Sequence, residues 1–209
     1  MPEETPDPVE PSISARTAVV MLAVVVEGGL ILVAWGVGLL LGYPPLDTFR
    51  WDPRDAALGL AATLPMLAAF FACLRWPVGP LKTIKDLCDQ TLVPLLRTCS
   101  TLDLVGISVL AGLGEEMLFR GVLQPALAGW TGSAVLGLVL TSLLFGLGHA
   151  VTPAYTVLAT LLGAYLGWLW LWSGNLLLVV IAHAVYDLVA LLVLVGGAPP
   201  PGPEVSAEQ

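Results

Sequence analysis

The chain has 209 residues, of which 57% are hydrophobic and 11% charged, and its mean hydropathy is +0.88. Soluble domains carry about 25% charged residues, so this composition excludes an ordinary soluble domain and, for most of the chain, intrinsic disorder. The net charge of −8 argues against a nucleic-acid partner. The composition therefore predicts a protein embedded in the lipid bilayer.

The chain begins and ends with acidic, proline-rich segments, residues 1–16 and 196–209. Both are predicted to be disordered tails, and the first lacks the basic start of a secretory signal. Between them, six apolar runs are long enough to cross a bilayer as helices. They are 17–41, 56–76, 102–125, 133–150, 153–172 and 176–195. None alternates like a membrane β-strand, so the prediction is an all-α polytopic bundle of about six transmembrane helices.

The segment between the second and third runs, residues 77–100, mixes charged residues with leucines. This pattern predicts an amphipathic helix in the membrane interface. The segment and its border hold the densest positive charge, in Arg75, Lys82, Lys85 and Arg97. The positive-inside rule places them in the cytoplasm, and six crossings then put both termini there. The opposite aromatic belt is predicted to contain Trp168, Trp170 and Trp172.

A few ionisable residues interrupt the apolar runs, at a cost of about 2.5–3.5 kcal/mol each at mid-bilayer. They are Glu27, Asp103, Glu115, Glu116, Arg120, His149, His183 and Asp187. Glu116 and Arg120 are four residues apart and can pair on one helix face. His183 and Asp187 have the same spacing, which lets the carboxylate orient the imidazole. Nearby glycines let helices approach closely, so one polar pocket is predicted.

The pocket would hold a carboxylate and two imidazoles, a combination of groups that can activate water. A buried Glu can act as a general base, and histidines can orient water, stabilise an oxyanion or bind a metal such as Zn²⁺. This chemistry suits hydrolysis of an amide bond.

Three short motifs carry a family resemblance. They are EExxxR at 115–120, FxxxH at 145–149 and HxxxD at 183–187. In this order, on separate apolar runs, they resemble the CPBP family of intramembrane endopeptidases, the CAAX-protease and bacteriocin-processing family also called Abi. The resemblance covers residues 101–195, the predicted catalytic core. Residues 17–100, with two spans and the cytoplasmic amphipathic segment, match nothing in it.

The resemblance implies a role for each motif residue. Glu115 would activate the water, and Glu116 would pair with Arg120 or assist. His149 would position the water or face a metal, and His183 with Asp187 would complete the site and stabilise the oxyanion. The possible metal ligands are Glu115, His149 and His183, and a metal-free glutamate mechanism needs the same residues.

The family also implies a membrane-anchored protein or peptide as substrate. We expect a bacterial enzyme of the cytoplasmic (inner) membrane, acting in processing, sorting, signalling or immunity, with a prenyl-protein CaaX endopeptidase as the alternative. Two other classes stay open. A non-catalytic immunity or scaffold protein would keep the motifs for packing. A proton-coupled transporter would also bury such residues, but no internal repeat typical of transporters is visible. Glu27 is predicted to make a packing contact to Ser, Thr or a backbone donor, with a transport or substrate-contact group as the alternative.

Overall fold

The computed structural model describes residues 14–197, and in that range the regular structure is entirely helical. The helices are α1 (Ala15–Leu41), α2 (Pro53–Arg75), α3 (Pro80–Leu87), α4 (Val93–Leu96), α5 (Thr101–Glu116), α6 (Gln124–Thr131), α7 (Ala134–Gly148), α8 (Pro153–Ser173) and α9 (Leu176–Gly196). One π-helical turn, Cys88–Leu92, joins α3 to α4, and another, Met117–Leu123, joins α5 to α6. The predicted all-α polytopic bundle is confirmed.

The helix ends follow local capping signals. Ser14 accepts a hydrogen bond from the Thr17 amide, so α1 begins two residues before the predicted run. At the other terminus α9 continues to Gly196. The remaining residues of the two predicted tails, 1–13 and 198–209, lie outside the described residues.

Four of the six predicted runs, now α1, α2, α8 and α9, are long and apolar enough to cross a membrane. The third run ends later than predicted, because the helical path continues past Pro125 to Thr131. Pro125 is the second residue of α6, directly after the π-helical turn ends. The fourth run is the shorter α7, of 15 residues. The number of crossings therefore stays a prediction.

Residues 80–96 form the predicted amphipathic helix, with a π-turn in its middle. Its exposed side carries two i,i+4 ion pairs, Lys82 with Asp86 at 2.6 Å and Lys85 with Asp89. Its other side buries Ile84 against the bundle. The segment therefore packs on the protein with one face and presents charges with the other, whereas its place in the interface stays a prediction.

Polar contacts mark two opposite ends of the bundle. At one end, Arg16 at the start of α1 donates to both oxygens of Asp103 at the start of α5, at 2.6 and 3.0 Å. At the other end, the α1–α2 and α8–α9 loops meet around Asn175, which accepts from the Arg50 amide at 3.0 Å and donates to Asp55 at 2.7 Å. We call these the Arg16 end and the Asn175 end.

Glycines bring the site helices into contact. A β-carbon on Gly112 of α5 would lie 2.8 Å from Cβ of Ala184 on α9, and one on Gly114 would lie 2.5 Å from the Glu27 carbonyl on α1. Helix α5 therefore packs directly against α9 and α1, as predicted for the small residues of this run. This packing brings the Glu115–Glu116 pair next to His183.

Candidate functional site

Glu116 is the centre of a buried charge network. Arg120 Nη1 donates to Glu116 Oε1 at 2.7 Å, and both side chains are 0% exposed. The predicted pairing of these two residues is therefore confirmed. His183 Nδ1 lies 2.7 Å from the same carboxylate oxygen. Because a carboxylate paired with arginine is ionised and can only accept, Nδ1 must donate.

Arg120 also anchors α8 to this network. Its Nη2 donates to the Gly163 carbonyl at 2.7 Å, and its guanidinium stacks over the Phe145 ring at 4.7 Å. One turn further, Gln124 Nε2 donates to the Gly167 carbonyl at 3.0 Å. These contacts satisfy both terminal nitrogens of Arg120 and the amide nitrogen of Gln124, which would be costly to bury alone, whereas Arg120 Nε is buried with no partner among the described residues.

The π-turn Met117–Leu123 starts directly after the two glutamates. Such turns insert one extra residue into a helix and are frequent at functional sites. This turn contains Arg120 and directly precedes Gln124, which both reach α8 while Glu116 reaches α9. No sequence pattern had indicated this turn.

Glu115 has surroundings different from those of its neighbour. The residue is 7% exposed, and its Oε2 is buried with no hydrogen-bond partner among the described residues. Its Oε1 lies 3.8 Å from Nε2 of His149, which is too long for a direct hydrogen bond. Oε2 of Glu116 is likewise buried without a partner among the described residues, but its Oε1 is bound by Arg120 and His183. Glu115 has neither of these partners and is therefore the carboxylate of the pair that is available to a ligand.

His149 follows the last residue of α7, Gly148. Its Nδ1 lies 2.8 Å from the Phe145 carbonyl, and its ring stacks on the Phe145 ring with centroids 4.6 Å apart. Because a carbonyl only accepts, Nδ1 must carry a proton, and in the neutral ring Nε2 presents its lone pair towards Glu115. The FxxxH spacing thus serves both ring stacking and tautomer selection.

Asp187 lies further from His183 than the i,i+4 spacing suggested. Its Oδ2 is 3.5 Å from His183 Nε2, whereas Glu116 makes the 2.7 Å contact to Nδ1. The shorter contact, which fixes the ring, comes from a residue 67 positions earlier in the chain. Sequence reasoning missed this bond because no local spacing encodes it.

Two adjoining cavities meet at Glu115. The smaller, of about 110 Å³, is lined by both histidines, and the larger, of about 320 Å³, reaches Glu27 and the α3–α4 segment. Glu115, Tyr155, Tyr186 and Asp187 line both. The two tyrosines were not predicted as site residues, since nothing in their sequence context separates them from interfacial aromatics. All six predicted site residues lie in or directly behind these cavities.

The three possible zinc ligands do not form a metal-binding group. Within residues 14–197, no group of three or more His, Cys, Asp or Glu side chains could hold a metal ion. His183 Nδ1 is engaged by Glu116, and its Nε2 faces Asp187. Glu115, His149 and His183 do not fit a zinc ion as they stand, so the zinc hypothesis has no supporting geometry here.

The family model for type II CAAX prenyl endopeptidases, Rce1-like, matches residues 97–189. That range contains all six predicted site residues, and the family resemblance predicted from the three motifs is thus confirmed for this segment.

The chain is also similar to a protein of Bacillus subtilis (strain 168), YpbD, which is described as uncharacterized. The two are 26% identical over 164 residues, which is 77% of this chain and 82% of YpbD. No solved structure matches the chain significantly. The four long apolar helices support a membrane protein, and residues 97–189 resemble the type II CAAX prenyl endopeptidase family.

Proposed function

We propose that the protein is an intramembrane endopeptidase in which Glu115 is the general base. The observation that carries this proposal is the position of Glu115: buried, with an unpartnered oxygen, opposite the Nε2 of His149 and at the junction of two cavities. The Rce1-like family match supports the reaction class.

The first step is activation of water between Glu115 and His149. A water molecule that donates one proton to the carboxylate and the other to Nε2 can bridge a separation of 3.8 Å. Glu115 then takes a proton while the water oxygen attacks the carbonyl carbon of the peptide. A base of this kind contributes about 10²- to 10⁴-fold to the rate.

The second step is collapse of the tetrahedral intermediate. His183, whose Nδ1 donates to Glu116, directs Nε2 towards the cavity and Asp187. In its imidazolium form, with the second proton on Nε2 facing the Asp187 carboxylate, it stabilises the developing oxyanion. The C–N bond breaks, and Glu115 returns its proton to the leaving amine. The products are an amine and a carboxylic acid, which balances the addition of one water.

Glu116, Arg120 and Asp187 act in this proposal as positioning residues. The Glu116 carboxylate is already bound by Arg120 and His183, so it is unsuited to abstract a proton. Asp187 lies beside His183 Nε2 and at the edge of both cavities. Their role is to hold the imidazole of His183 in one orientation.

The substrate we propose is a membrane-anchored protein or peptide, because mostly apolar side chains wall the site. The name of the matching family adds a prenylated protein to the candidates. We further propose a bacterial inner-membrane location with both termini in the cytoplasm. The concentration of basic residues in the 77–100 segment supports that orientation.

The test compares Glu115→Gln with the wild type at matched abundance in the source cell, reading the termini of all membrane proteins. The control is Asp47→Asn, the same carboxylate-to-amide change at an exposed loop position. Termini that depend on wild type and Asp47→Asn but not on Glu115→Gln would identify the substrate. Identical termini in all three strains would contradict the protease function. If the Glu115→Gln strain also kept the wild-type cellular phenotype, the result would favour a non-catalytic scaffold protein.

A further inference from the structure

Glu27 is a half-buried carboxylate that the proposed mechanism does not use. It lies in the middle of α1, outside the segment matched by the family model. The missing side chain of Gly114 lets α5 approach its carbonyl closely, so this part of α1 is held against the helix that carries Glu115. Its Oε2 is buried and has no hydrogen-bond partner among the described residues.

The larger cavity brings Glu27 together with two residues of the proposed active site. Glu27, Glu115 and Asp187 all line it, together with Tyr155, Tyr186 and a mostly apolar wall. Among the described residues that line it, none is a lysine or arginine. Glu115 adds an independent sign of a ligand site, since it is 7% exposed and its Oε2 also lacks a partner.

The charges around this cavity do not balance within the described chain. Arg120, the one arginine or lysine buried among the described residues, is bound to Glu116, and the proposed imidazolium of His183 lies between Glu116 and Asp187, so neither pairs with Glu27. A carboxylate in an apolar pocket is costly unless a positive group or several donors accompany it. A ligand that carries a positive charge into the cavity would supply the missing partner.

We propose that Glu27 is a specificity-determining residue that binds a lysine or arginine side chain of the peptide substrate, near the bond that is cut. The inference rests on the proposed protease function. A peptide carbonyl placed at Glu115 in the smaller cavity has a neighbouring side chain directed into the larger one, because the two share Glu115, Tyr155, Tyr186 and Asp187. An ammonium or guanidinium group there pairs with Glu27 in a water-poor setting, where such pairs discriminate strongly.

The test uses the full-length protein in liposomes with fluorogenic membrane-anchored reporter peptides. Each reporter exists in two forms, with lysine or Nε-acetyl-lysine at one position near the cleavage site, so that only the charge differs. The expected result is a position at which wild type and Asp47→Asn prefer lysine by about tenfold or more in kcat/KM, while Glu27→Gln has a ratio near one.

Several outcomes overturn the inference. A wild-type ratio near one at every position does so, as does a lysine preference that survives in Glu27→Gln. If Glu27→Gln does not fold, Glu27→Asp, which keeps the charge but shortens its reach, is expected to lower the ratio, and an unchanged ratio contradicts the proposal. If an apolar chain fills the cavity instead, lengthening an acyl group on the reporter raises kcat/KM and lysine has no effect.

The Glu115→Gln variant distinguishes a failure of the proposed protease function from a failure of the role proposed for Glu27. If it cleaves the reporters as fast as the wild type, or if the wild type cleaves none, the proposed function fails and the specificity of Glu27 fails with it. If cleavage requires Glu115 but ignores the charge of the reporter, only the role of Glu27 is wrong.

Discussion

Two adjacent glutamates occupy opposite situations in the site. Glu116 is fully buried and shares one oxygen between Arg120 and His183, at 2.7 Å each. Oε2 of each is buried without a partner among the described residues, but Glu115, about 100° away round the helix, lacks the two charged partners and lines both cavities. The same side chain is therefore structural at one position and available for chemistry at the next.

Replacing each glutamate by glutamine is expected to distinguish the structural role of Glu116 from the chemical role of Glu115. Glu116→Gln leaves Arg120 buried without its counter-charge and should lower the free energy of unfolding by about 3–5 kcal/mol. Glu115→Gln should change it by less than about 1 kcal/mol, because no hydrogen bond is lost. Denaturant unfolding in detergent measures both. An equal loss of unfolding free energy in the two variants would contradict this difference in role.

His149 is expected to act on the rate rather than on substrate binding. His149→Ala removes the acceptor for the water and should lower kcat by about 10²-fold with KM nearly unchanged. Added imidazole should restore part of the activity, which lost packing against Phe145 would not allow. A rise in KM without a fall in kcat, or no rescue, would show that His149 only packs.

The motif residues were predictable from the sequence, but several of their contacts were not. The i,i+4 spacing of Glu116 and Arg120 predicted their pairing, because residues four apart lie on the same helix face. The bond from His183 to Glu116 depends on how α5 and α9 pack, and the lining roles of Tyr155 and Tyr186 depend on α8 and α9. One-dimensional spacing does not contain that information.

At the scale of helices, the packing of α5 on α9 sets the geometry of the site. Gly112 faces Ala184 so closely that any side chain would push the helices apart. Ala184 is the next residue after His183, and Gly112 lies one turn before Glu116, so separation at this point lengthens the Glu116–His183 contact. Close packing at small residues is the usual means of association between membrane helices.

Two glycine-to-alanine changes on α5 test this packing. Gly112→Ala should cost about 1–3 kcal/mol through overpacking and lower kcat, because the catalytic helices separate. Gly106→Ala on the same helix meets no atom within 4 Å and should be neutral or stabilise by up to about 1 kcal/mol. Unfolding and reporter cleavage are measured for both. A Gly112→Ala variant as stable and active as Gly106→Ala would show that close packing of α5 on α9 at this position is not required.

The helices themselves were largely predictable, and the departures from prediction have local causes. Long apolar runs gave α1, α2, α8 and α9 to within a few residues, since bilayer thickness constrains their length. The π-turn after Glu116 and the continuation of α6 past Pro125 were not foreseen. Both depend on backbone hydrogen bonding that tertiary contacts decide.

At the scale of the whole molecule, the polar contacts define which loops share a side. The Arg16–Asp103 pair ties the start of α1 to the start of α5, directly after the basic 77–100 segment. The Asn175 end joins the α1–α2 and α8–α9 loops. If the bundle crosses the membrane as predicted, these two ends face opposite compartments.

Cysteine labelling tests the orientation. In a chain with Cys73, Cys88 and Cys99 replaced by serine, Lys82→Cys and Arg54→Cys each place one thiol at an exposed position. An impermeant maleimide should label Arg54→Cys in intact spheroplasts and Lys82→Cys only in inverted vesicles. Labelling of both from the same side would rule out the predicted topology.

The shortness of α7 has a consequence for the surrounding lipid. Its 15 residues span about 22 Å, whereas the hydrocarbon core of a bilayer is about 30 Å thick. The helix ends at Gly148, directly before His149. If α7 crosses the membrane as predicted, this hydrophobic mismatch leaves its end below the headgroups or draws the leaflet inward, and either arrangement shortens the path of water to Glu115. Hydrolysis in the bilayer needs such a path, so the rate should depend on acyl-chain length and be higher in thin membranes than in thick ones.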